Sequence, residues 1–145
     1  DPGLALFAGL SYLSAKYVGP ITLTAVPNPA KVKECVEEVK KQIELMDADD
    51  YFTDEQLATA KRQLEISDVR SREITSTYVH TVSFWWASAS LDYYFNYIKN
   101  VQKVSRADIQ QYVRKYIKDK PFAAGMMLSP GMEKQLNPDT FFKAN

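Results

Sequence analysis

The chain has 145 residues, 46% of them hydrophobic and 25% charged, a balance that suits one soluble globular domain. Eighteen basic side chains offset eighteen acidic ones, so the chain lacks the general positive field of a nucleic-acid binder. A single cysteine, Cys35, and a single histidine, His80, exclude a disulfide framework, a multi-cysteine metal site and any chemistry that needs two imidazoles.

The chain opens on Asp1-Pro2-Gly3 without an initiator Met, which reads as a piece of a longer polypeptide. Its apolar start, Leu4 to Leu10, is too short to cross a membrane and lacks the basic flank of a signal peptide. Residues 4–13 read as a strand, and Gly19-Pro20 breaks the chain after it. In Ile21-Thr22-Leu23-Thr24-Ala25-Val26, apolar residues alternate with threonines, the pattern of a half-buried strand. Asn28 is a suitable N-cap, and Pro29 takes a first helical position, where its missing N–H costs nothing. Val32, Cys35, Val36, Val39, Ile43 and Met46 then recur at helical spacing. Cys35 falls within that stripe and reads as a buried structural thiol.

An acidic loop, residues 47–52, precedes Thr53-Asp54-Glu55-Gln56, which has the form of a capping box. The helix that follows turns Leu57, Ala60, Leu64 and Val69 inward, and residues 74–91 continue helical with a wide apolar surface. The aromatic-dense run 92–98 forms a short helix. Ser105 caps another helix, with Ile109, Tyr112, Val113, Tyr116 and Ile117 on one face and Pro121 as its stop. Phe122 to Leu128 reads as a closing strand, and Ser129-Pro130-Gly131 ends it. The order predicts an α+β domain over residues 1–131, truncated at its N-terminus, with a tail over 132–145. Its sheet is small and largely antiparallel, with several helices packed on one face. In the tail, Phe141-Phe142 is suited to docking on the body or on a partner.

Candidate chemistry is sparse. His80 lies mid-helix without a second imidazole or a cysteine pair, so a polar helix residue outweighs a metal ligand. Trp85-Trp86 and Tyr93-Tyr94-Phe95 have the make-up of a stacking platform for sugar or single-stranded nucleic acid. Residues 78–98 carry no Lys or Arg, however, and core packing is the better reading. Lys61-Arg62 with Arg70 and Arg72 is a possible anion site, outweighed by a solvated face with Glu65, Asp68 and Glu73. No Gly-rich phosphate loop or nucleophile elbow is present.

Thr53-Asp54-Glu55-Gln56-Leu57-Ala58-Thr59-Ala60-Lys61 resembles the T-x-E-E-L-x-x-A-K segment of the pitrilysin/insulinase family of zinc metallopeptidases, with Gln56 for the second Glu. Gly19 to Val32 resembles that family's strand running into a helix, and Leu91-Asp92-Tyr93-Tyr94 its interhelical stretch. Val104-Ser105-Arg106-Ala107-Asp108-Ile109 resembles its v-t-x-e-d-v helix start, and Phe122 to Pro130 its closing strand. The likeness spans about residues 3–130, with five segments in the family's order.

The resemblance implies a half-domain of the pitrilysin/processing-peptidase type. In that family each half of the peptidase is built from two similar α+β domains, only one of which carries H-x-x-E-H. The shortage of His places this chain with the non-catalytic domain, which closes a chamber over an unfolded peptide. The resemblance therefore implies no catalytic or metal-binding residue here, no cofactor in this chain, and zinc in a partner catalytic domain of the same or another chain. Peptide substrate is the other implied partner; nucleic acid and a membrane span are not expected.

The family's non-catalytic domain often adds an Arg and a Tyr in R-x-x-x-G-L-x-Y form, as donors to a substrate carbonyl or oxyanion. With Gly9-Leu10-Ser11-Tyr12 as the match, Tyr12 is the substrate-binding residue and Ala5 occupies the Arg position. With Gly3-Leu4-Ala5-Leu6, Leu6 occupies the Tyr position and the Arg precedes Asp1; this placement leaves the more family-like gap before Gly19. An alternative within the superfamily is a structural or assembly subunit without peptidase activity. Another is an aromatic ligand-binding module built on residues 84–97. Bacterial relatives are often exported, so the resemblance favours a periplasmic or otherwise exported location.

Overall fold

The computed structural model describes residues 3–137 and Phe141. The architecture is α+β, with a two-stranded antiparallel sheet and six α-helices among the described residues. Strand β1, Ala5–Tyr12, pairs with β2, Ile21–Pro27, in a register that sets Tyr12 opposite Ile21 and Ala8 opposite Ala25. A bulge between Ala5 and Phe7 shifts the ladder by one residue near its far end. The expected alternation on β2 is present, with Ile21, Leu23 and Ala25 half-buried and the two threonines exposed. The ribbon closes where Leu13 N–H donates to the Pro20 carbonyl at 3.2 Å. Gly19 is required at that turn: a Cβ there would lie 1.8 Å from the Leu13 carbonyl oxygen.

Asn28 caps the helical entry as anticipated, its Oδ1 accepting from Ala30 N–H at 3.1 Å. A single 3-10 turn, Pro29–Lys31, intervenes before α1, Val32–Leu45. Val32 and Cys35 are buried on its inner face, and Val36, Val39 and Ile43 are half-buried. Helix α2, Asp54–Glu73, starts from the Thr53 capping box: Thr53 Oγ1 accepts from Gln56 N–H, and Gln56 Oε1 accepts from Thr53 N–H. The expected inward set on α2 is not enclosed. Leu57 is half-buried, but Ala60, Leu64 and Val69 are exposed, because only α3 and α4 pack closely on this helix.

The stretch expected to run unbroken over 74–91 is divided. Ile74, with extended φ and ψ, ends α2 and begins α3, Thr75–Ser88. Ser90 then caps α4, Leu91–Lys103, by accepting from Tyr93 N–H at 3.0 Å. The expected short aromatic helix is thus the first half of a 13-residue one. Helix α5, Arg106–Tyr116, begins with a second capping box, Ser105 with Asp108, and buries Val113. It ends four residues before Pro121 is reached; Asp119 adopts a left-handed conformation in the exit turn.

Two expectations near the C-terminus are corrected. Phe122–Leu128 is not a strand, since the described sheet has only β1 and β2 and offers this segment no ladder. The start of the expected tail and the turn before it form α6, Pro130–Leu136, which Ser129 caps and which crosses the anticipated boundary at 131. Phe141 meets the body through its backbone carbonyl, which accepts from Lys40 Nζ on α1. Phe142 lies outside the described residues.

The layering also differs from expectation. The closest packing is of β1 on β2 and of α2, α3 and α4 on one another. A two-stranded ribbon is too narrow to seat several helices on one face. Val32, Cys35, Tyr94 and Val113 are the buried apolar side chains among the described residues, a small core for the length.

Candidate functional site

Tyr12 ends β1. It is 56% exposed, and its ring lies against the Gly19 turn. Tyr112 of α5 is its electrostatic neighbour: burial raises the Tyr112 phenol pKa first, and the nearby Tyr12 and Tyr116 phenols raise it further. Ala5, at the other end of the strand, pairs with Pro27 and offers no donor side chain. Tyr12 thus stands at an accessible edge as a hydroxyl donor, without an arginine at the position seven residues before it.

The basic residues considered together in the sequence separate along α2. Lys61 and Arg62 line an open groove of about 380 Å³ with Asp54, Leu57, Ala58, Glu65 and Gln102. Lys61 Nζ donates to the Gln102 carbonyl at 2.9 Å, tying α2 to α4. Two acidic side chains in the lining offset Lys61 and Arg62, so the groove has no net attraction for an anion. Arg72 lies roughly 15 Å further along the helix and donates to Asp68 Oδ2 at 2.6 Å. Beside it is Tyr94, 4% exposed, whose hydroxyl has no hydrogen-bond partner. The Arg72 guanidinium carbon is 6.0 Å from the Tyr94 ring centroid, and burial raises the phenol pKa.

The two tryptophans divide their work. Trp85 packs against α4, with ring centroids 5.1 Å from Tyr93 and 5.7 Å from Tyr97, and meets Phe84 edge-on at 5.5 Å. Trp86, on another side of α3, is 71% exposed. His80 is exposed on α3, and Cys35 is a buried free thiol in α1. Among the described residues no three His, Cys, Asp or Glu side chains gather into a group that could hold a metal ion. No helix of the described residues is long and apolar enough to cross a membrane.

The most developed polar constellation was not singled out by sequence. Asp47, in the turn after α1, accepts from Arg114 Nε at 2.8 Å and from Lys118 Nζ at 2.7 Å. Lys118 also donates to the Glu44 carbonyl at 2.9 Å, and Gln110 donates to Asp49 Oδ1 at 3.0 Å. The hydrogen bonds from Lys118 and then Arg114 hold the Asp47 carboxyl pKa at about 2. Arg114 and Lys118, four apart, carry a helical spacing legible in the sequence, but their acidic partner is 67 residues before Arg114. The four bonds join the end of α1 and the turn after it to α5 and its exit turn, which makes the cluster a clamp between these two parts of the chain.

No protein-family model, curated protein or solved structure matches this chain. The geometry at hand is thus that of an accessible tyrosine at a sheet edge, a charge-balanced groove and a broad uncovered helical surface.

Proposed function

We propose that the chain is a non-catalytic domain of a zinc-dependent endopeptidase of the pitrilysin/insulinase type, forming part of the wall that encloses a peptide substrate. The observation that carries this reading is the succession, in one order, of sequence segments that resemble that family, from Gly19-Pro20 through Val104–Ile109; the fifth, Phe122–Pro130, follows in order but is not the closing strand that the resemblance implies. The capping box at Ser105 begins α5 where the Val104–Ile109 segment implies a helix start, which supports it. So does the α+β class of the fold. In this reading zinc belongs to a partner domain with H-x-x-E-H, and this chain contributes surface. Tyr12 is the residue proposed to donate to a peptide carbonyl there.

The pure chain, given zinc and an unstructured reporter peptide, is expected to release no product above the buffer control. Chelator-sensitive cleavage by the pure chain overturns the proposal. A second reading, a structural or assembly subunit of the same superfamily, draws on Ala5 standing where the Arg of one placement of the Arg–Tyr pair belongs. The coding region separates the two: an adjoining H-x-x-E-H domain or subunit supports the peptidase, and none supports the assembly role.

A further inference from the structure

The outer edge of β1 is an open backbone ladder. Leu13 N–H donates to the Pro20 carbonyl one step beyond the Tyr12–Ile21 pair. Hydrogen-bonded and non-hydrogen-bonded pairs alternate along an antiparallel ladder. Ser11, Gly9 and Phe7 therefore turn their main-chain groups towards β2, and Tyr12, Leu10 and Ala8 turn theirs away from it. Each of these last three presents an N–H and a C=O on the outer side, and no third strand among the described residues receives them.

Burial falls off towards the same side. Ile21, Leu23 and Ala25 are half-buried, whereas their partners across the ladder, Tyr12, Leu10 and Ala8, are exposed, Leu10 by 50%. Partners opposite each other share one face of a sheet, so this apolar face is covered under β2 and bare under β1. Edge strands are ordinarily protected by Lys, Pro, an inward charge or a bulge. From Phe7 to Tyr12 there is no charge and no Pro, and the bulge lies before Phe7.

We propose that this edge binds an unfolded peptide, which adds to the ribbon as a third strand antiparallel to β1. The outward groups of Ala8, Leu10 and Tyr12 recognise main chain, and only extended main chain, because a helix has its own groups paired. The antiparallel sense gives the slightly more stable ladder. Alternate residues of the incoming strand then lie beside Leu10 and Tyr12 on the apolar face, where β-branched or aromatic side chains fit. Area favours a peptide over a second copy. Pairing β1 with its own image would bury a strip about 20 Å by 10 Å, roughly 200 Å² a side, where a stable dimer needs about 800 Å². An open edge needs neither zinc nor a catalytic domain, so this inference stands apart from the peptidase reading.

The probe is a fluorescein-labelled peptide of alternating Val and Thr with a Lys at each end, titrated with the full chain and followed by anisotropy. Saturable binding is expected. Amide exchange at Ala8, Leu10 and Tyr12, read by NMR, should slow when the peptide is added. In the antiparallel ladder the peptide residues whose N–H groups face β1 share the face of Leu10, so they are the valines. N-methylation of every Val should weaken binding at least about tenfold, and N-methylation of every Thr should leave it intact. These peptides test the ladder without altering the protein, so folding of a variant does not enter. Failure of the unmethylated peptide to bind overturns the proposal. Equal effects of the two methylation patterns, or binding that leaves the three amides unchanged, place the peptide elsewhere and overturn it as well. Slow exchange of those amides in the chain alone means that the edge is already filled, by this chain or by a second copy, and is equally fatal.

Discussion

Asp47 is where one side chain does most to connect distant parts of the chain. Its carboxylate receives Arg114 and Lys118 at once, and its pKa falls from 3.8 to about 2. A carboxyl with a depressed folded pKa stabilises the fold above its unfolded pKa, and that contribution is lost as pH falls through the folded value. Asp47→Asn should therefore be less stable than wild type at neutral pH. The gap should narrow below pH 4 and close near pH 2, as thermal melts across that range will read. Tyr94 poses the opposite case. Its hydroxyl is buried without a partner, and such a group costs about 1–3 kcal/mol. Tyr94→Phe keeps the ring and removes the orphan, so urea unfolding should show a gain of about 1 kcal/mol. A loss would mean that the hydroxyl bonds to Arg72 in solution. Neither role was legible in the sequence, because both depend on contacts between separate helices.

At the scale of elements, what could be read was what is decided locally. Thr53 with Gln56 and Ser105 with Asp108 each satisfy backbone N–H groups within four residues, so sequence alone located both helix starts. Thr53→Ala should cost about 1 kcal/mol, because it removes the hydroxyl that accepts the Gln56 N–H at the exposed start of α2. Chemical denaturation measures this, and a neutral result would show that the first turn of α2 frays in solution. The β2 alternation and its Asn28-Pro29 exit were legible for the same local reason. Phe122–Leu128 was misread because apolar, extended character makes a strand only where another strand supplies the ladder. Trp85 and Trp86 could be assigned to different sides of α3 from their adjacency. Which one meets α4 is a matter of tertiary packing, as the Trp85–Tyr93 and Trp85–Tyr97 contacts show.

The whole molecule is sparsely covered for its length. A compact chain of this size buries roughly 68–70% of its unfolded surface, whereas the exposed 11161 Å² corresponds to burying only about 53%. Tyr12, the candidate site residue, was located on its strand by sequence, but its exposure follows from the narrowness of the sheet. The shortfall has a thermodynamic signature. Heat capacity of unfolding and denaturant m-value both scale with the surface newly exposed. Because the uncovered part includes apolar α3 and strand residues, both quantities should be low. At concentrations where the chain is monomeric, each should be about four-fifths of the value for a compact 145-residue domain. Scanning calorimetry and urea titration at low protein concentration give them directly. If a partner covers the exposed apolar surface, both should rise towards the compact value when that cover is present, because the buried area then returns. Full-size values in the isolated monomer would mean that the helices close on the sheet in solution more tightly than the described packing allows.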